Sequence, residues 1–267
     1  MYQLNMSRLR APRNVAIRPH SELIGVSRVK SILLTNDDGI DAEGLKILRG
    51  ELCKIAHVLV VAPDRERSAV SHGLTIRSRL ELKDAGPDSF ALSGTPADCV
   101  IYALDKLFLN PPDMVISGIN HGSNLGDDIM YSGTVGAARE AARYGIPAIA
   151  VSQYYEDEKK IRFNGGGEFI RNMVNDMLNN GLDGEFLLNV NIPVGKIKGV
   201  KITRQGYSEH LKHFNNPDGE YYFTSDFFKN KFISDKQAIL DGYVSITPLE
   251  REQTDYAAAM MLTKVFA

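Results

Sequence analysis

The chain has 267 residues, enough to bury a sizeable core as one large α/β domain or two smaller ones. Its 31 basic residues against 33 acidic ones leave a net charge of −2, which argues against a globally basic nucleic-acid binder and against a highly acidic disordered chain. No uninterrupted apolar run is long enough to span a bilayer, so no membrane partner is expected.

The first stretch, residues 1–29, differs from the remainder of the chain. Arg8, Arg10, Arg13, Arg18 and Arg28 face a single acid, Glu22, with no apolar h-region, so a secretory signal is unsupported. Serines are few for an organellar transit segment, and a loosely ordered extension is the expectation. Cys53 and Cys99 each fall in a segment that reads as helix, and neither belongs to a Cys-x-x-Cys pair. They are expected to be buried free thiols in a reducing cytoplasm.

The organised part begins at Lys30. Residues 31–35, Ser-Ile-Leu-Leu-Thr, read as a buried strand that ends in the turn Asn36-Asp37-Asp38-Gly39. Leu45, Leu48 and Leu52 recur at helical spacing over 42–56, and the valine-rich stretch 57–62 stops at Pro63-Asp64. Strand, helix and strand in this order predict a βαβ unit with parallel pairing and a right-handed crossover. Residues 74–82 and 89–92 read as strands, and Thr95-Pro96 as the N-cap and first position of a helix through about Lys106. Residues 114–117 form another short apolar strand before a glycine-rich loop over 118–133. A helix over 134–144, a strand over 146–152, a helix over 169–178 and strands over 186–190 and 200–203 come next. From Gly206 to Phe232 aromatic residues are interleaved with Asn, Pro, Gly and Lys, the mark of a projecting hairpin lobe. A strand over 243–248 and a terminal helix over 256–266 close the chain, the latter offering Met260, Met261 and Val265 for packing. The expected organisation is an extension over 1–29, an α/β core with a mostly parallel sheet over 30–205, and a lobe with C-terminal segment over 206–267 that serves oligomerisation.

Three polar clusters each follow an apolar strand directly: Asn36-Asp37-Asp38-Gly39, Asp64-Arg65-Glu66-Arg67-Ser68, and Gly118-Ile119-Asn120-His121-Gly122. Loops at the carboxyl ends of parallel strands share one edge of the sheet, where ligands bind. Two carboxylates, a hydroxyl and a carboxamide therefore converge, all hard oxygen donors of the kind that favour Mg²⁺, Mn²⁺ or Ca²⁺ over zinc. Each group also has a plainer role: an Asn-Asp-Asp-Gly turn satisfies backbone donors through Asx-turns, and Ser68 and Asn120 taken singly read as cap or turn residues. A second polar loop carries Asn124 and then Tyr131-Ser132-Gly133-Thr134. Ser132, Gly133 and Thr134 open a small-residue helix, whose free N–H groups and positive dipole end suit a phosphate. Plain N-capping accounts for the same residues. His72 and His121 lie in the loops of Ser68 and Asn120, where either can serve as proton donor to a leaving oxygen, although solvent-facing loop histidine is the default. No P-loop, dinucleotide fingerprint or Gly-x-Ser-x-Gly elbow is present at these turns.

Taken together the motifs resemble those of the SurE family. They are Ile32-Leu-Leu-Thr-Asn-Asp-Asp-Gly-Ile-Asp-Ala-Glu-Gly-Leu45, Ala62-Pro-Asp-Arg-Glu-Arg-Ser-Ala69, Gly94-Thr-Pro-Ala-Asp-Cys-Val100, Ser117-Gly-Ile-Asn-His-Gly-Ser-Asn-Leu-Gly126, Tyr131-Ser-Gly-Thr-Val-Gly-Ala-Ala-Arg-Glu-Ala141 and the closing Gly242-Tyr-Val-Ser-Ile-Thr-Pro-Leu249. The resemblance implies a Rossmann-like three-layer core, one divalent metal ion per subunit (Mg²⁺ or Mn²⁺), and hydrolysis of nucleoside 5′- and 3′-monophosphates, with short polyphosphate as a further substrate. It assigns Asp37, Asp38, Ser68 and Asn120 as metal ligands; in single-metal ester hydrolysis Asp37 or Asp38 is expected also to orient the attacking water. It implies a homodimer or homotetramer with an exchanged C-terminal segment. A phosphatase of another phosphoester and a non-catalytic nucleotide-binding protein share the same residues. Ala69 stands where the family commonly has glycine, a mild change unless the position needs φ > 0.

Overall fold

The structure, a computed structural model, describes residues 28–157, 161–179, 184–206 and 232–266. The first strand, β1 (Ser31–Thr35), is followed by α1 (Glu43–Leu52) and β2 (His57–Pro63). An edge hairpin comes next, β3 (Leu82–Gly86) and β4 (Ser89–Leu92), and then α2 (Pro96–Tyr102), which runs on into a π-helical turn over Ala103–Leu107. The chain continues through β5 (Met114–His121), α3 (Gly133–Arg143), β6 (Ala148–Gln153), α4 (Asn164–Asn179), β7 (Leu187–Ile192) and β8 (Val200–Ile202), and ends with α5 (Asp235–Leu240), β9 (Val244–Pro248) and α6 (Tyr256–Phe266).

The nine strands among the described residues join one sheet in the order β3-β4-β2-β1-β5-β6-β7-β9-β8. The six inner strands from β4 to β7 pair in parallel, while β3 and β9 run antiparallel to their inner neighbours. This is the α/β, mostly parallel, helix-covered sheet expected. Both faces of the sheet are buried, which explains why β1 is continuously apolar rather than alternating. Ile32 and Leu34 pack on one face with Leu45, Leu48 and Leu52 of α1 and with Ile170 and Val174 of α4. Leu33 points the other way, into a core with Cys99 and Val100 of α2 and Ala137, Ala138 and Ala141 of α3. The chain adds β2 on one side of β1 and later β5 on the other, so the order reverses beside β1, where an open α/β sheet leaves a crevice.

Several elements differ from the sequence reading, each for a physical reason. Residues 74–81 form no strand, and the expected strand is replaced by β3, which begins at Leu82: Leu74 and Ile76 stay exposed, and the edge position beside β4 is taken by β3. The fourth helix starts at Asn164, five residues early, because Gly166 and Gly167 seat it close to Ile192 and Ile47; a Cβ on them would lie 2.8 and 3.0 Å from those side chains. The fifth strand extends to His121 instead of stopping at Ser117. The short helix α5 was not foreseen. Cys53 is exposed at the end of α1, against expectation, while Cys99 is buried; both are free thiols. Of the aromatic lobe, residues 207–231 lie outside the described residues.

Helix α1 approaches β5 through Gly44. A Cβ there would stand 2.1 Å from the carbonyl oxygen of Ile119, a backbone atom one residue from Asn120. Gly44→Ala is therefore expected to cost about 1–3 kcal/mol through overpacking, read as a lower melting temperature in thermal denaturation; an unchanged melting temperature would contradict the close approach.

Candidate active site

The turn after β1 divides its labour. Asn36, fully buried, closes the turn: its Nδ2 donates to the Gly39 carbonyl at 2.9 Å and its Oδ1 accepts from the Gly39 N–H at 3.2 Å. Gly39 has φ 100°, and a Cβ on it would meet the Arg65 backbone at 3.1 Å. The Asx-turn role thus falls to Asn36 and leaves both aspartates free of it.

Asp37 is only 5% exposed. The Thr134 N–H donates to its Oδ2 at 3.1 Å, and the Thr134 hydroxyl donates to its Oδ1. Burial pushes the carboxyl up to about 6; the Thr134 hydroxyl bond opposes this and the charge of Asp38 adds to it. Asp38 is half-buried, and burial raises it as well, against the His121 N–H that donates to its Oδ2 at 3.0 Å. No lysine or arginine charge shifts either carboxylate among the described residues; the basic group that acts on Asp38 is the His121 imidazole. Two adjacent carboxylates, one buried and one half-buried, with a single imidazole nearby are costly unless a cation or a proton neutralises them.

Backbone bonds bring the second loop alongside. The Ile40 N–H donates to the Pro63 carbonyl at 2.9 Å, and the Arg67 N–H to the Asp37 carbonyl at 2.7 Å. Ser68 comes directly after; it is exposed, and its hydroxyl donates to Glu66 at 2.7 Å. Ala69 and Ser71 have φ values of 56° and 54°. The position after Ser68 therefore does need the left-handed conformation that glycine takes most readily, and alanine holds it here under strain.

The third loop is the end of β5. Asn120 directs its Nδ2 to the Gly122 carbonyl at 2.9 Å, which leaves its carbonyl oxygen as the atom for a cation. The His121 ring lies against Tyr155 and Phe163, with centroids 5.3 and 6.1 Å away. His72 gives its Nε2 to Glu140 at 2.6 Å, so neither histidine is the plain solvent-facing residue assumed by default. The structure thus joins the three clusters: Asp37 and Asp38 contact the backbone of the Ser68 and Asn120 loops.

The phosphate-binding candidates are placed differently. Ser132 caps α3, its hydroxyl accepting from the Val135 N–H at 3.1 Å. Gly133 lies against Asp37, since a Cβ on it would stand 2.9 Å from the Asp37 Cβ. Thr134 is fully buried with its N–H and hydroxyl on Asp37, so the positive end of α3 faces a carboxylate of the protein itself. Asn124 is buried in a carboxamide cluster: its N–H donates to Asn191 at 2.9 Å and its Nδ2 to Ser152 at 2.7 Å, and Asn189 and Asn191 donate to its carbonyl at 2.8 and 3.0 Å. Asn189, Asn191 and Ser152 were missed by the sequence reading. Their signal was present, because two carboxamides two residues apart sit on one face of an otherwise apolar strand.

Among the described residues no three His, Cys, Asp or Glu side chains gather to hold a metal. The carboxylates of Asp37 and Asp38 with the neutral oxygens of Ser68 and Asn120 make an oxygen-only donor set, whose chemistry would fit a hard divalent cation such as Mg²⁺ or Mn²⁺.

Fold and site together define a doubly wound α/β protein with an acidic, oxygen-rich centre at its topological switch point. The chain belongs to the SurE family: residues 32–212 match the family model described as Survival protein SurE. It is 42% identical over 247 residues to the 5′-nucleotidase SurE of Pelotomaculum thermopropionicum, covering 88% of this chain and 94% of that protein. It is 44% identical over 239 residues to the protein of the same name from Thermoanaerobacter sp. strain X514, covering 84% and 94%. The crystal structure of the Sure protein from Aquifex aeolicus superposes with a TM-score of 0.75 at 36% identity, covering 89% of this chain and all of that one.

The raised Asp37 carboxyl carries a pH signature. Its native form holds a proton more tightly than the unfolded chain does, so this group's contribution is present below pH 3.8 and lost as the pH rises through about 6. The loss approaches about 3 kcal/mol. In protein stripped with EDTA, the fall in melting temperature between about pH 4 and about pH 7, the span over which this carboxyl titrates, is expected to shrink in Asp37→Asn. An identical fall in the variant would refute the assignment.

Proposed function

We propose that this protein is a divalent-cation-dependent phosphomonoesterase, a 5′-nucleotidase that releases phosphate from nucleoside 5′-monophosphates. One observation carries the cation: Asp37 is buried and Asp38 half-buried beside it, and the only basic group whose charge acts on either among the described residues is the His121 imidazole, on Asp38. The names of the two relatives, each matched over most of its length, support the nucleotide substrate. Asp37, Asp38, Ser68 and Asn120 hold the ion, Mg²⁺ or Mn²⁺, one per subunit. When bound, it withdraws charge from the phosphoryl oxygens and acidifies a water ligand. The chain itself supplies position. Thr134 fixes both Asp37 oxygens and the His121 N–H fixes Asp38, so the carboxylates need not reorganise as charge develops on the ester. Asp38, the more exposed of the two, is the carboxylate placed to orient water. Ser132 and Gly133, at the start of α3, and Asn124 line the phosphate and nucleoside side. The 3′-nucleotides and short polyphosphate belong to the same proposal, because the site grips a terminal phosphoryl group.

The protein acts as a cytoplasmic homodimer or homotetramer, with no nucleic-acid or membrane partner in this reading. Support comes from α6, which has no buried residue and exposes Met260, Met261, Leu262, Val265 and Phe266. An apolar helix of this kind is covered by another subunit. The free thiols fit a reducing compartment. Among the described residues no helix is long and apolar enough to cross a membrane.

Asp38→Asn is expected to lower phosphate release from nucleoside 5′-monophosphates by more than about a hundredfold while circular dichroism stays unchanged. EDTA is expected to abolish activity and Mn²⁺ or Mg²⁺ to restore it. A panel of nucleotides, sugar phosphates and polyphosphate reads substrate class directly; nucleotide binding without phosphate release would overturn the reading. Separately, deletion of residues 256–267 is expected to yield monomers by light scattering, and an unchanged mass would remove α6 from the interface.

A further inference from the structure

The segment from Ser68 to Thr75 holds neither helix nor strand, yet it is pinned along its length. Two of its residues, Ala69 and Ser71, sit in the left-handed region without being glycine, a conformation kept only where surroundings enforce it. The enforcement comes from two helices. Helix α2 holds the far end through its capping box: the Thr95 hydroxyl donates to the Gly73 carbonyl at 2.7 Å, and Asp98 accepts from the Thr75 N–H at 3.1 and 3.2 Å. Helix α3 holds the near end. The Ser71 N–H donates to the Tyr131 carbonyl, just before α3, at 2.9 Å. Gly136 lets the helix lie flush, since a Cβ there would stand 2.4 Å from the Ser71 carbonyl oxygen. His72 then reaches Glu140 at 2.6 Å.

Glu140 has only 2% of its side chain exposed. An ionised carboxylate only accepts, so Nε2 of His72 is the donor. Glu140 has a second partner, Arg143 at 3.0 Å. Its charge thus has two partners, the His72 bond first and Arg143 second, so Glu140 keeps one partner on α3 itself when His72 is removed. What the His72 bond adds is a fixed distance. Helix α3 touches Asp37 through Thr134 and the loop through Glu140, six residues or about 9 Å further along a rigid rod.

We propose that His72 and Glu140 are a positioning pair that fixes the loop carrying Ser68, whose hydroxyl here donates to Glu66, at the distance from which it reaches a cation on Asp37 and Asp38, with α3 as the common ruler. The proposal rests on the reading of Ser68 as a cation ligand. The pair acts through the loop and touches neither ion nor substrate. Removing it frees the strained residues 69–71 to relax, and Ser68 moves with them. Partners that orient ligands typically change metal affinity by 10–100-fold, which sets the expected size.

The test is isothermal titration of the full-length, metal-stripped protein with Mn²⁺, alongside steady-state kinetics at saturating Mn²⁺. His72→Ala is expected to weaken Mn²⁺ binding about tenfold or more while its melting temperature stays near wild type and kcat largely recovers at saturating ion. His72→Gln, whose amide can still donate to Glu140, is expected to restore affinity, which a purely structural loss would not explain. Wild-type affinity in His72→Ala, with Ser68→Ala weakened, would overturn the positioning pair and leave Ser68 a ligand. Wild-type affinity in Ser68→Ala would remove the ligand reading and the proposal with it. Should His72→Ala melt far below wild type, His72→Gln decides: weak binding in a fully stable His72→Gln would overturn the pair.

Discussion

An acid placed out of reach of water governs this molecule. To serve as the cation ligand proposed above, Asp37 has to be charged, and burial beside β1 opposes that charge. The protein answers with geometry. Thr134 is placed at the start of α3, so a hydroxyl, an N–H and the positive end of a helix all converge on the carboxylate. That arrangement requires α3 to come within contact of the β1 turn, which requires a glycine at 133. The neighbouring Asp38, held by the His121 N–H, adds a second negative charge, on which the one basic group acting among the described residues is the His121 imidazole. The remaining demand for positive charge is what gives the site its chemical direction.

The same economy of contact recurs around the crevice. Gly44 lets α1 meet β5 one residue before Asn120, and Gly136 lets α3 meet the Ser68 loop. Where helices approach this closely, backbone carbonyls lie where a Cβ would stand, and small residues are required by exclusion. Polar side chains then lock the loops that glycine has allowed near. Asn36 closes its own turn, Asp98 and Thr95 hold the stretch after Ser68, and Asn124, Asn189 and Asn191 tie the loop after β5 to β7. These buried polar groups hold loops in place around two carboxylates.

Much of this was visible in the residues. The strand–turn alternation and its apolar runs placed the parallel core, because strands buried on both faces have to be apolar at every position. The Thr95-Pro96 start of α2 was legible because a capping box and a first-position proline act within four residues. The non-strand at 74–81 was not, because the alternation of its side chains says nothing about whether a sheet edge is free to receive it. The early start of α4 was hidden by its glycines, which lower helix propensity but were selected by contact with Ile47 and Ile192. Thr134 reads in the sequence as part of a phosphate cradle while the structure gives its N–H and hydroxyl to Asp37, because a helix N-terminus is the same motif whether its ligand is a substrate or a side chain of the protein.

What the sequence determined by itself is local and chemical: where strands end, which turns carry oxygen donors, and that those donors suit a hard cation. The order of β2, β1 and β5 in the sheet decided that Asp37, Ser68 and Asn120 would share a crevice. Tertiary packing alone decided that Asn36 closes the turn, that Thr134 serves Asp37, and that Ala69 is held with φ above zero. These are contacts set by the packing of separate elements, and their energies depend on distance and burial, which only the folded chain defines.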